Sequence, residues 1–141
     1  MILIDTNVVS EPWKPAPDAR VLAWLDVQAI ETLFLSAVTV AELRFGIAAM
    51  PEGKRRTVLH TRLEDEVLPL FSGRILPFDL EASRAYATLM AAARASGKAV
   101  AATDGYIAAT ALARGFSVST RDVSPFEAAG LKVINPWAIQ S

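Results

Sequence analysis

Four acidic residues stand where a carboxylate can do chemistry: Asp5, Glu42, Asp104 and Asp122. Each ends an apolar run or opens a segment of helical spacing, and in a parallel α/β fold strand exits and first helical turns share one edge. Gathered there, the four could not all stay ionised unaided, because two unit charges about 4 Å apart repel by about 4 kcal/mol at an effective dielectric near 20. Either their pKa values rise or a cation binds among them. An oxygen-only donor set without His or Cys selects Mg2+ or Mn2+ over zinc. Such a cation suits phosphodiester hydrolysis, since it binds a phosphoryl oxygen, activates water and steadies the leaving oxygen. Each acid also has a structural reading. Asp5 can cap a turn or the next helix, and Asp104 can complement a helix dipole. Thr39 with Glu42 has the form of a capping box, in which the glutamate returns to the cap's backbone amide.

The elements that must position these residues are read from the pattern around them. Met1 to Ile4 is a continuous apolar run, as in a strand covered on both faces. Pro12, Pro15 and Pro17 forbid a regular helix until the last can serve in a first turn, so the spacing predicts a helix from about Asp18 to Gln28 with Val21, Leu22 and Leu25 on one face. Leu33 to Leu35 reads as a second strand, and Thr39 opens a helix through Leu43, Phe45 and Ile47. After the break at Pro51-Glu52-Gly53, a polar-faced helix is expected from Lys54 to Leu68, with Val58, Leu59, Leu63 and Val67 inward and Arg55, Arg56 and Arg62 solvated. Ile75 to Phe78 is a short strand ending in the helix cap Asp79. The next helix carries the stripe Ala82, Ala85, Tyr86, Leu89, Met90 and Ala93 and stops at Gly97. A small-residue helix follows up to Arg114, able to lie close to a sheet, with Gly115 as its stop. Phe116 to Thr120 alternates as a strand that delivers Arg121 and Asp122, and Leu131 to Ile134 is the last strand. Strand alternating with helix says α/β with a mainly parallel sheet.

Composition narrows the function classes. The 141 residues are read as a single domain over 1–141, large enough for its own core. A net charge of -1 excludes a generally basic nucleic-acid binder, so any RNA contact must use a local patch. It does not exclude a nuclease. The absence of Cys removes disulfides and thiolate chemistry, and the one histidine, His60, sits in a polar helical stretch where solvation explains it. The N-terminus begins in strand without a basic leader, and no apolar run is long enough to span a bilayer, so a cytoplasmic protein is expected. The 52% hydrophobic content predicts a homodimer, with Trp24, Leu63, Tyr86 and Met90 as contact candidates.

Taken together, Ile4-Asp5-Thr6-Asn7, Val40 to Gly46, Asp104 to Ala111, Ser119-Thr120-Arg121-Asp122 and Val133 to Trp137 resemble the PIN-domain ribonucleases, specifically the VapC-type, FitB-like toxins of toxin-antitoxin pairs. Each motif is weak, but their order and spacing are specific and cover nearly the whole chain. The resemblance implies a PIN-like three-layer fold with a parallel sheet of about five strands, and Mg2+- or Mn2+-dependent cleavage of RNA. It also implies a homodimer and a cognate antitoxin. It places Asp5, Glu42, Asp104 and Asp122 on the family's acidic, metal-binding positions, and Thr6, Asn7 and Thr120 on positions that orient them. Many relatives carry Asn after Thr-Arg and Asp three residues later, where this chain has Asp122 and Pro125, so the fourth acid departs from the pattern. Arg44 and Arg121 either hold RNA phosphates or neutralise the acids. The competing readings are a non-catalytic interaction module on the same fold and an Asp-dependent phosphatase. The phosphatase wants a second Asp two residues after the first, where Asn7 stands.

Overall fold

Strand β1 (Ile2–Ile4) is apolar throughout because it has no solvent face. In the computed structural model, which describes residues 1–139, β1 is the middle strand of a five-stranded sheet of order β3-β2-β1-β4-β5. Its companions are β2 (Leu33–Ser36), β3 (Ile75–Leu76), β4 (Ser117–Ser119) and β5 (Val133–Ile134). Every pairing is parallel, and Leu3 lies opposite Phe34 on one side and Val118 on the other. Successive strand side chains point to opposite faces. Leu3 and Val118 therefore pack with Leu89, Ile107 and Phe126, while Ile4 and Leu35 pack with Val8, Val21 and Trp24.

The helices that cover the sheet are α1 (Thr6–Ser10), α2 (Ala19–Val27), α3 (Ala37–Ala48), α4 (Lys54–Thr61), α5 (Leu68–Leu70), α6 (Leu80–Ala95), α7 (Ala102–Arg114) and α8 (Val123–Ala128). A 3-10 turn, Glu11–Trp13, follows α1, a second, Ile30–Thr32, precedes β2, and a π-helical stretch, Arg62–Val67, joins α4 to α5. The expected parallel sheet flanked by helices is present. Asp18 and Asp79 cap α2 and α6, each accepting an amide hydrogen bond of 2.9 Å, from Arg20 and Ala82 respectively. Gly115, at φ 69°, closes α7 in the left-handed region, and Phe116 N–H then reaches back to Ala111 O at 3.0 Å. Gly105 lets α6 and α7 lie close together: a Cβ there would come 2.8 Å from Met90 Sδ and 3.1 Å from the Tyr86 ring.

Several sequence expectations are corrected. The cap of α3 is Ser36, whose hydroxyl accepts from Thr39 N–H at 2.9 Å. Thr39 thus lies inside the first turn, and no capping box ties up Glu42. Val58 is 38% exposed, because Leu59 and Leu63, one π-distorted turn apart, take the inward positions expected to be shared with it. On α2 the buried pair is Val21 and Trp24, with Leu22 and Leu25 only half covered. Trp24 and Leu63 are core residues, 9% and 1% exposed, and so drop out as subunit contacts. The short helices α1 and α8 had no separate signal in the sequence pattern.

Candidate active site

Asp5 is the first residue beyond β1, and its backbone N–H donates to Ser119 O at 2.9 Å, continuing the β1–β4 ladder by one step. The sheet departs in opposite directions from this place, β2 and β3 to one side and β4 and β5 to the other. Such a switch point opens a crevice at the carboxyl ends of the strands. The Asp5 side chain is 4% exposed. Its Oδ1 accepts from Thr6 N–H and its Oδ2 from the Thr120 hydroxyl, both at 2.8 Å. It therefore caps α1 and faces the crevice at once. Burial above all, with the nearby charges of Asp104 and Glu42, lifts its pKa from 3.8 to about 6, against the opposing pull of the two hydrogen bonds.

The other acids converge on it. Glu42, in the second turn of α3, accepts from the Thr6 hydroxyl at 2.7 Å. Asp104 stands in the first turn of α7, where burial and the charges of Asp122 and Glu42 push its pKa up. Asp122 follows β4; its N–H donates to Thr120 Oγ1 at 3.0 Å, and its Oδ2 accepts from Asn7 Nδ2 at 3.4 Å. Asn7 Nδ2 also reaches Thr120 Oγ1 at 3.4 Å, while its Oδ1 accepts from Arg121 N–H at 3.3 Å. All seven residues singled out as acids or their orienters are thus joined by hydrogen bonds or by mutual charge.

The two arginines part company. Arg44 makes a two-pronged bond to Glu64, Nε to Oε2 at 3.0 Å and Nη2 to Oε1 at 2.8 Å. Arg121 lays its guanidinium over the ring of Trp137, 5.3 Å from the centroid. The ion pairs among the described residues are Lys14–Glu11, Arg20–Asp18, Arg44–Glu64 and Arg114–Asp79. Neither arginine, therefore, is salt-bridged to the four acids.

A family profile described as PIN domain matches residues 2–131, a span that holds all four acids. The chain belongs to the PIN-domain family. Similar curated proteins include the VapC ribonuclease Y4jK of Sinorhizobium fredii, 69% identical over 137 residues that make up 97% of this chain and 98% of that protein. Toxin FitB of Neisseria gonorrhoeae is 55% identical, over 97% of this chain and 99% of its own. The solved structure of FitAB bound to an IR36 DNA fragment matches this PIN domain with a TM-score of 0.96 and 52% identity, covering 100% of this chain and 99% of that one.

The donor chemistry of this PIN domain fits a hard divalent cation. Every candidate ligand is a carboxylate or hydroxyl oxygen, and the pKa of Asp5 and of Asp104 is raised mainly by burial, with the neighbouring acids adding to it. Among the described residues no three His, Cys, Asp or Glu side chains stand together closely enough to hold a metal ion between them; Mg2+ keeps much of its water and needs only one or two carboxylates. Two residues that decide where the arginines go had escaped the sequence reading. Glu64, which captures Arg44 from 20 positions away, left no local signal. Trp137 did: Asn135 Oδ1 accepts from Trp137 N–H at 3.0 Å, an Asx turn legible in Asn-Pro-Trp that folds the ring back towards Arg121.

Proposed function

We propose that this PIN domain is a single-domain endoribonuclease dependent on Mg2+ or Mn2+, acting in the cytoplasm as the toxin of a toxin-antitoxin pair. The observation that carries the reading is the buried Asp5 carboxyl, which feels the charges of Glu42 and Asp104, with none of the three in an ion pair among the described residues. That is a place prepared for a cation and, through it, for a phosphodiester. The names ribonuclease and toxin borne by relatives at 69% and 55% identity support the same substrate class and role. FitAB on DNA supports a cognate antitoxin that would link the toxin to DNA.

Asp5, Glu42, Asp104 and Asp122 are the residues that would hold the metal and carry catalysis. When bound, the cation supplies Lewis-acid polarisation of a phosphoryl oxygen and lowers the pKa of water. The chain supplies fixed geometry. Thr120 holds Asp5 Oδ2 with its hydroxyl proton and takes the Asp122 amide on its oxygen, so that these two acids keep one relative position. Thr6 fixes Glu42, and Asn7 fixes Asp122. Prepaid orientation of this kind is worth several kcal/mol in a reaction that depends on alignment. A homodimer is part of the proposal, formed through the partly exposed aromatic face of α6 and α7, where Tyr86 stacks on Tyr106 at 4.7 Å beside Met90.

The test is cleavage of a labelled single-stranded RNA by purified protein in Mg2+ or Mn2+, with EDTA, Asp104→Asn and Glu42→Gln as arms. Glu42→Gln keeps an oxygen for the Thr6 hydroxyl and leaves the Ser36 cap intact, so the variant folds. Loss of cutting in all three arms is expected. Full cutting by folded Glu42→Gln, or in EDTA, refutes the acidic site.

A further inference from the structure

We propose that Arg121 is a substrate-binding residue of this site, holding an RNA phosphate that flanks the scissile one, and that Arg44 has no such role. The inference rests on the ribonuclease reading and assigns the second anion contact that reading leaves open. A divalent metal would bind one phosphate directly, but it does not outweigh four carboxylates. The neighbouring phosphates of the strand must still pass an acidic rim, which calls for a fixed positive charge outside the cluster.

Arg121 meets that need on three independent counts. Its backbone is pinned to the site, since its N–H donates to Asn7 Oδ1 at 3.3 Å and Asn7 in turn holds Asp122. Its guanidinium rests on Trp137, a ring 7% exposed and packed into the core, so the platform itself does not move. Stacking occupies one face of the guanidinium and leaves its N–H edge available for the forked bond to phosphate that only arginine makes. Finally, Arg121 is exposed and enters none of the ion pairs among the described residues. Asp18, whose carboxyl feels the charge of Arg121, is already taken by Arg20 through Nε at 3.1 Å and Nη2 at 2.8 Å. Arg44 fails on the last count, because Glu64 consumes both prongs of its fork.

The experiment measures KM and kcat for a labelled single-stranded RNA in Mn2+ over a range of salt, for wild type, Arg121→Gln, Arg121→Lys and the neutral pair exchange Arg44→Gln with Glu64→Gln. Arg121→Gln is expected to raise KM about tenfold, the worth of one charge-assisted hydrogen bond, with little change in kcat. Its slope of log KM against log salt should shrink by about 0.7, one phosphate contact on a single strand. Arg121→Lys should keep the salt slope while regaining only part of the affinity, since lysine brings the charge without the stacked fork. The Arg44/Glu64 exchange should leave KM unchanged. A wild-type KM and salt slope in Arg121→Gln overturns the proposal, as does a loss confined to kcat, which would make Arg121 a positioning residue for Asp122. Wild type that cuts while Arg121→Gln matches it sinks this inference alone. Wild type that never cuts RNA sinks the ribonuclease reading and this inference with it.

Discussion

Asp5→Asn should make the metal-free protein more stable at neutral pH. The folded Asp5 titrates at about 6 against 3.8 for the free side chain, so the folded state holds this proton to a higher pH than the unfolded state does. Stability is therefore lost as pH rises from about 4 to about 6, then levels off. Slightly more than two pKa units at 1.36 kcal/mol each put the loss at about 3 kcal/mol. Asparagine never ionises and escapes it. The exchange has a cost, because Asp5 accepts from both Thr6 N–H and the Thr120 hydroxyl, and an amide has only one oxygen. Thr120 Oγ1 already accepts the Asp122 amide, so one bond weakens, at about 1 kcal/mol. The net gain near pH 7.5 is about 2 kcal/mol, or roughly 6 °C in Tm for a chain of this size, and it should vanish or reverse by pH 4. Thermal melts in EDTA at the two pH values measure it. Asp5→Asn no more stable than wild type at pH 7.5 would mean that the carboxylate is not under the strain its surroundings imply, and would remove the physical argument for a cation there.

The complementary melt adds metal: wild type should gain about 2.7 kcal/mol at a hundredfold excess of Mn2+ over Kd, whereas Asp5→Asn should gain little, and equal gains in both would locate the ion elsewhere. Ser36→Ala should cost about 1 kcal/mol in urea unfolding through loss of the α3 cap, while Thr39→Ser, which keeps its N–H, should cost less. Gly105→Ala should lower Tm by forcing Met90 Sδ away from the 2.8 Å approach; an unchanged Tm would show that α6 and α7 have slack. Light scattering should give a dimer, and Tyr86→Glu with Met90→Glu should give a monomer; a wild type already monomeric would end the dimer proposal.

How far the sequence could be read depended on the range of the interaction. Asp5, Asp104 and Asp122 were legible because strand exits and first turns share an edge in any parallel sheet; Glu42 was singled out from a helix start placed three residues late, and it stands in the second turn. The sheet itself was legible from apolar runs such as Ile2 to Ile4. The Ser36 cap was missed by three residues because Ser-x-x-Thr and Thr-x-x-Glu overlap, and only the true start of α3 decides between them. The π stretch at Arg62–Val67 breaks the 3.6-residue period on which the inward assignment of Val58 relied. Trp24 and Leu63 were offered to a partner because composition counts apolar residues without saying which the core consumes. The capture of Arg44 by Glu64 depends on how α3 meets that π stretch, a tertiary fact with no local trace.

The central place of β1 has a consequence for the birth of the protein. Its partner β4 lies more than a hundred residues downstream, and the bond from Thr120 to Asp5 spans 115 positions. On the ribosome, β1 and its Asp5 therefore wait unpaired on that side while the intervening helices emerge, for roughly 6–23 s at ordinary elongation speeds of 5–20 residues per second. Until Thr120 and Asp122 arrive, the acids have neither their orienting hydroxyl nor their fourth member. The acidic site of a nascent chain of this kind is therefore incomplete by topology, and it can assemble only once residue 122 has emerged.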